Sequence, residues 1–577
     1  MVSDSNQTSA PGKSGVLEGV TWYHWLVVII ASCGWLFDCM DQRLFVLARS
    51  PALQTVMQED LAPKATKQFI VQAALEGELL NRVPAVDSME SIDQLPPEQQ
   101  EAVRDQIQEL QDEWAGMVSE APNFESIDQP AFLDSLPSDV QQALDERMQA
   151  LEDEIREALP NLQSLEELDS IEEVNQLPPR LQSGIFTRIQ GTVNNYGGIA
   201  TTSMILGWAT GGIIFGMFSD KYGRIKAMVL TLFTYTIFTG LSGLSVSWID
   251  FTIYRFLVGL GVGGMFGAAT TLVAESVPAG FRAVALGSLQ ALSATGNILG
   301  SLISYQIPPG ASDYLFGLEG WRILFFVGLL PIILVVPIVT LLREPKPWIE
   351  AKRRADSGDT EHRMGSVGDL FRDPRWRYHT TIGLLFGFAG MVGLWGIGFF
   401  SPELIDHALA GQSQELRDQV RALGTAMQDV GSFLGMMTIT WVAAYMGRRS
   451  AFFFAFLFSF GATIFVFLSL NQPSDAYWML PIMGFGQLAV FACYSIYFPE
   501  LFPSRLRGTG VSFCYNTVRY LAAPAPALMG YLGYLLLQGG VTEYFRWAAV
   551  IMSFVYVIGI VAIIWAPETK DQPLPED

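Results

Sequence analysis

The chain has 577 residues, of which half are hydrophobic, 12% aromatic and only 16% charged, with a mean hydropathy of +0.30. Long apolar runs with so few charges exclude a string of soluble domains and indicate a polytopic, all-α membrane protein. The formal charge of −22 is local, because residues 51–190 hold 29 Asp plus Glu against 8 Lys plus Arg; with no basic domain to neutralise phosphates, no nucleic-acid partner is expected.

Residues 1–21 are a tail ahead of the first apolar run, 22–48, which contains GWLFDCMDQRLF from Gly34 to Phe45. Asp38 and Asp41 stand inside that run, in its outer half, and at i and i+3 they share a helix face. A charge at bilayer depth costs about 2.5–3.5 kcal/mol on insertion scales, so such residues mark a pathway. Residues 49–192 form an acidic insertion, in which Leu95-Pro96, Leu136-Pro137 and Leu177-Pro178 recur. Proline suits a first helical turn, and the apolar stripes Val103, Ile107, Leu110, Trp114, Met117 and Val140, Leu144, Met148, Leu151, Ile155 predict a small helical bundle. It reads as a solubilising extracytoplasmic cap, with capture or docking of an unidentified partner as the alternative.

Runs of about 20 apolar residues, enough to span a bilayer, continue at 193–218, 226–246, 249–273, 283–306 and 321–343. After a polar linker at 344–377, a second set follows at 378–400, 421–445, 449–470, 476–498, 509–536 and 544–566, and 567–577 form a tail. The expectation is twelve membrane helices in two pseudo-symmetric six-helix halves, 193–343 completing the first and 378–566 forming the second. Basic residues gather in the linker (Lys352, Arg353, Arg354, Arg372, Arg375, Arg377) and after alternate spans (Lys221, Arg224, Lys226, Arg282, Arg448, Arg449, Arg505, Arg507), whereas 307–320 and 471–477 carry no Arg or Lys. Positive charge lies inside, which places both termini and the linker in the cytoplasm and the insertion outside.

The halves are copies. Gly223-Arg224 matches Gly447-Arg448, Gly259 and Gly261 match Gly484 and Gly486, and Glu275, Pro278 and Arg282 match Glu500, Pro503 and Arg507, at offsets of 224 or 225. Duplicated helical units are a transporter architecture with the site between the halves.

The stretch Gly216-Met-Phe-Ser-Asp220-Lys221-Tyr-Gly223-Arg224-Ile-Lys226 resembles the loop between spans two and three of the major facilitator superfamily. Arg255 with its glycine ladder and the Glu275-Ser-Val-Pro278 motif resemble its sugar and organic-acid proton symporters, a branch carrying aromatic acids, sialic acid and other metabolites. The resemblance covers the spans and omits the insertion. It implies that Gly216, Asp220, Gly223, Arg224, Glu275, Arg282, Glu500 and Arg507 form a cytoplasmic gate that latches one conformation. Ala444 stands where the second copy would have an aspartate, and Met265 departs from the Gly-Gly-Glu of many relatives.

Two intramembrane arginines complete the candidate site. Arg255 lies about 30 Å up its helix from Glu275, within reach of Asp38 or Asp41, and these three are the proton-coupling candidates. Arg519, with Asn516 three residues earlier, lies at mid-membrane depth, and a guanidinium offers a fork suited to a carboxylate. Either a substrate or Asp429 would complement it; Gln290, Gln428 and Gln487 are further substrate-binding candidates, and lone amides in spans also simply bridge helices. His24, His362, His379 and His407 show no ligand spacing, and no phosphate loop occurs, so neither an enzyme, a cofactor nor a metal is expected. The expectation is proton-coupled import of a small organic acid anion through a lipid bilayer. Sugar or another neutral metabolite is the alternative substrate, and a transporter-derived membrane sensor is the rival class.

Overall fold

The computed structural model describes residues 17–82, 138–160, 171–357, 363–409, 412, 414–538, 541 and 543–576. Apart from one isolated bridge between Leu315 and Leu318, the regular structure of these residues is helical. The helices are α1 (Trp22–Val56), α2 (Gln58–Arg82), α3 (Ser138–Ala158), α4 (Pro179–Tyr222), α5 (Arg224–Ser242), α6 (Trp248–Ser276), α7 (Ala279–Gln306) and α8 (Gly320–Leu341). They continue with α9 (Lys346–Asp356), α10 (Val367–Arg372), α11 (Pro374–Ala408), α12 (Gln414–Met446), α13 (Arg448–Ser469), α14 (Pro473–Leu501), α15 (Arg507–Ala522), α16 (Ala525–Gln538) and α17 (Tyr544–Ala562). Among the described residues, nine helices are long and apolar enough to cross a membrane: α1, α4, α5, α6, α8, α11, α13, α14 and α17. Helices α7, α12 and α15–α16 occupy the remaining predicted runs, and α15 and α16, of 16 and 14 residues, are each shorter than a full span.

Local chemistry sets the helix ends. Ser247 and Asp250 form a capping box that starts α6, and Gln472 and Asp475 do the same for α14 at an offset of 225. Proline shapes two runs that the sequence predicts as unbroken. Pro331 sits in a 3-10 turn at Leu330–Leu334 inside α8, and Pro524 separates α15 from α16, where its missing N–H interrupts the helical ladder. Conversely, α1, α4 and α12 outrun the apolar segments because a helix can continue past them.

The described chain divides into two compact units, one comprising the chain up to Arg49 and from Ile199 onward, the other Ser50–Gly198. In the smaller unit α3 packs on α2, with Leu144, Leu151 and Ile155 of its predicted stripe buried. The stripe from Val103 to Met117 and the pairs Leu95-Pro96 and Leu136-Pro137 lie outside the described residues. In the larger unit, α5 packs on α6 and α12 on α14, while α7 meets α12 and α6 meets α15 between the repeated halves.

Candidate functional site

The repeated Gly-Arg pairs build one end of the larger unit. Gly223 and Gly447 adopt φ of +115° and +102°, a region open to glycine, and each begins a helix. The following arginines turn inward. Arg224 bonds Asp220 at 2.8 Å, Glu275 at 3.0 and 3.2 Å, and the carbonyls of Ser219 and Ser504. Arg448 grips Glu500 through two bonds of 2.9 and 2.7 Å and donates to the Ala443 carbonyl. All five acids and bases of these two grips are buried.

Several of these contacts join the halves. Asp220 Oδ1 and Oδ2 accept from the backbone N–H groups of Gly508 and Thr509 at 2.9 and 2.7 Å, and from the Thr509 hydroxyl at 2.6 Å. A carboxylate is thus seated at the start of α15, where unpaired amides and the helix dipole favour negative charge. Arg507 bonds Glu275, and Arg282 lies 4.0 Å from Glu500, so each half supplies the arginine for the other's glutamate. Gly216 permits the approach: a Cβ there would stand 2.8 Å from the Gly508 carbonyl oxygen. In the second copy Ala444 offers no carboxylate, and the seating of Asp220 has no counterpart among the described residues.

Two glutamates complete this network without having been singled out in the sequence. Glu344 accepts from the N–H groups of Arg224 and Ile225 at 2.9 and 3.0 Å, and Glu568 from those of Arg448 and Arg449 at 2.9 and 3.1 Å. Burial raises the Glu344 carboxyl above the usual range despite these donors. At Glu568 burial acts the same way but is outweighed, and the backbone N–H groups of Arg448, Lys570 and Arg449 hold the carboxyl below that range.

A second cluster lies deep within the first half. Asp38 and Asp41 are fully buried, and their oxygens make no hydrogen bond of normal geometry. Tyr235 faces Asp38 and Thr239 faces Asp41. Arg255 Nη1 approaches Asp41 Oδ2 to 4.0 Å, while its Nε and Nη2 donate to the Ser242 hydroxyl at 3.1 and 2.6 Å. The guanidinium also lies over Phe45 and Phe325, 5.2 and 4.9 Å from their centroids. Of the two aspartates, Asp41 is the one beside Arg255.

Arg519 lies between the halves. Its guanidinium carbon sits 3.7 Å from the centroid of Trp208, on α4, and 4.9 Å from that of Tyr515, on its own helix. Asn516 Oδ1 accepts from Arg519 Nε at 3.4 Å, and Tyr515 stacks on Phe266 of α6 at 4.0 Å. Arg519 is 3% exposed, yet no carboxylate pairs with it among the described residues. Asp429, the internal partner considered from the sequence, is bonded instead to Arg43 of α1. Gln428 and Gln487 lie 3.5 Å apart in the second half, and Gln290 is buried on α7 with its Oε1 unbonded.

The profile of the Major Facilitator Superfamily matches residues 183–527. The chain belongs to the major facilitator superfamily. It is 30% identical over 380 residues to the cis,cis-muconate transport protein of Acinetobacter baylyi, covering 65% of this chain and 86% of that protein. It is 30% identical to the sialic acid transporter NanX of Escherichia coli, covering 56% and 74%, and 24% identical to the gentisate transporter of Corynebacterium glutamicum, covering 58% and 72%. Among solved structures, the proton:xylose symporter XylE is similar in fold, with a TM-score of 0.59 and 15% identity over 96% of this chain and 98% of that one. As a superfamily member the chain is a multi-pass membrane transporter and not an enzyme.

Within that superfamily framework, the overlooked glutamates had a signal. Glu344 and Glu568 differ by 224 positions, the same offset as Gly223 and Gly447, although one opens the linker and the other lies in the C-terminal tail. Trp208 was overlooked because an indole in an apolar run looks like lipid-facing surface; its role as the platform for Arg519 requires knowing which helices meet.

Proposed function

We propose that the protein is a secondary active transporter that imports a small organic acid anion by proton symport, through alternating access. In this reading two six-span halves rock about a site that contains Arg519, Asn516, Gln290, Gln428 and Gln487. Both termini and the linker 344–377 are cytoplasmic, residues 49–192 are an external insertion, and the protein resides in the plasma membrane. One observation carries the substrate class: a permanent cation buried between the halves without a carboxylate partner among the described residues. A buried unpaired charge is costly, and an incoming carboxylate removes that cost while meeting the fork of donors. The names of the muconate, sialic acid and gentisate relatives are those of acids, which supports the same class.

Asp38, Asp41 and Arg255 suit the coupling role. Two buried carboxylates lie three residues apart, and only Asp41 has an arginine beside it, at 4.0 Å, so the pair is placed to take up a proton. The paired amides of Gln428 and Gln487 favour a second reading, since amides match sugar hydroxyls. Uptake into proteoliposomes separates these readings. Radiolabelled organic acids should accumulate when the exterior is acidic, accumulation should collapse with a protonophore, and neutral sugars should not compete. Asp38→Asn should abolish the pH response yet retain exchange of preloaded substrate, because exchange need not cycle the proton. Sodium-dependent uptake that ignores the protonophore would remove the proton from the mechanism.

A further inference from the structure

Where the linker meets the end of α4 there is a cavity of about 550 Å³. Its walls come from Met217 and Lys221 on α4, Lys352 on α9 and the segment Arg363–Val367. That volume falls within the range of small-molecule sites. Three cations line it (Lys221, Lys352 and Arg363), and among the described residues no lining residue is acidic. Lys352 is shared with Asp356 at 2.9 Å. Lys221 and Arg363 have no carboxylate partner among the described residues. The nearby Asp220 carboxylate is turned away, toward the start of α15.

The walls are held in place by the latch. Gly365 N–H donates to the Arg505 carbonyl at 2.9 Å, and Arg505 bonds Asp369 at 3.1 Å. Gly365 has φ of +63°, and a Cβ there would stand 2.6 Å from the Met217 carbonyl oxygen, so the loop lies directly on α4. The Trp348 indole donates to the Asp220 carbonyl at 2.7 Å, fixing α9 to the same helix. Tyr222, beside Lys221, is 55% exposed, an aromatic of the kind found at headgroup level.

We infer that this cavity is a binding site for a phosphate-bearing ligand, which bridges the linker to α4 and fastens the latch in its closed arrangement. Lysine and arginine converging from two separate elements, without a competing carboxylate among the described lining residues, are suited to a multiply charged phosphate. A phospholipid headgroup and a soluble phosphate compound share that chemistry.

The test uses the purified full-length protein, with thermal unfolding as the readout, since a ligand that binds the folded state raises the midpoint by mass action. Inorganic pyrophosphate, against chloride at matched ionic strength, probes the soluble source; micelles containing phosphatidylglycerol, against phosphatidylcholine, probe the lipid source. At least one probe should raise the midpoint saturably, and Arg363→Gln and Lys221→Gln should each weaken the apparent affinity about tenfold or more, the size of one lost charge-assisted contact. A response to pyrophosphate alone identifies a soluble ligand, a response to phosphatidylglycerol alone a lipid, and a response to both a site that reads the phosphate itself. The Arg363 side chain is exposed and makes none of these bonds, its carbonyl alone accepting from Arg505, so its variant retains the fold. No shift in the unmodified protein, or equal shifts in it and Arg363→Gln, overturns the site.

Discussion

Arg519 is held by flat surfaces and a weak amide contact, with Trp208 on one side and Tyr515 and Asn516 on its own helix. Lysine would preserve the charge but lose both the two-point fork and the planar stack on the indole. A charge-assisted hydrogen bond contributes about 1.5–3 kcal/mol. Arg519→Lys should therefore weaken substrate affinity by roughly tenfold to a hundredfold, and Arg519→Gln should nearly eliminate binding, with the amount of inserted protein maintained. Equilibrium binding of a labelled carboxylate checks both variants. Because Asp429 is bonded to Arg43, adding Asp429→Asn to Arg519→Gln should rescue nothing. If the double variant regained binding, Asp429 and Arg519 would be partners in another conformation and the substrate class would shift toward neutral molecules.

At the scale of elements, the latch is a junction of helix ends. Asp220 seats on the N-terminus of α15, Arg224 reads Glu275 on α6, and Arg507 reaches the same glutamate from the other half. Removing one partner of such a buried pair costs about 3–5 kcal/mol. Asp220→Asn keeps the shape but weakens the charge at the α15 amides. Flux should drop severalfold while equilibrium substrate binding survives, because these residues belong to the rim and not to the Arg519 box. Loss of binding with preserved exchange would remove the gate assignment. Much of this junction was legible in the sequence, since the Gly-Arg and Glu-x-x-Pro repeats carry fixed offsets and each residue type has a specific task. The seating of Asp220 on α15 was not, because Gly508 and Thr509 act through backbone N–H groups that any residue but proline supplies. Arg43–Asp429 was missed for a different reason: it joins residues 386 apart, and no local pattern encodes which helices become neighbours. The breaks at Pro331 and Pro524 were visible as residues, yet whether a proline kinks, caps or splits a helix depends on its surroundings.

Over the whole molecule, the acidic segment 51–190 and the transport core should be separable in function. The latch, the Asp41–Arg255 cluster and the Arg519 box all draw their residues from the larger unit. Replacing 51–190 with a short polar loop should therefore leave a core that inserts and transports at a rate within a few-fold of the full chain. Near-total loss of transport in a well-inserted deletion would assign the insertion a role in substrate capture. Within the core, two links join the halves at different depths. Tyr23, near the start of α1, is bonded to Arg343 beside the latch, and Arg43 lies twenty residues further on, about 30 Å along a helix. Arg43–Asp429 is therefore a second link, remote from the first, and both are closed in this conformation. In the proposed alternating access the two open in turn, because opening both at once would leave a channel. Asp429→Asn removes the charge from the remote link and leaves the latch intact, so it should shift the population toward states open at that end. A cysteine placed beside Arg43 in a cysteine-free background should then react severalfold faster with a membrane-impermeant maleimide added from outside. The same substitution combined with Arg224→Ala should lower that labelling again, since unlatching favours the opposite opening. Unchanged labelling in Asp429→Asn would mean that Arg43 and Asp429 only brace the helices, and the second gate would have to be sought elsewhere.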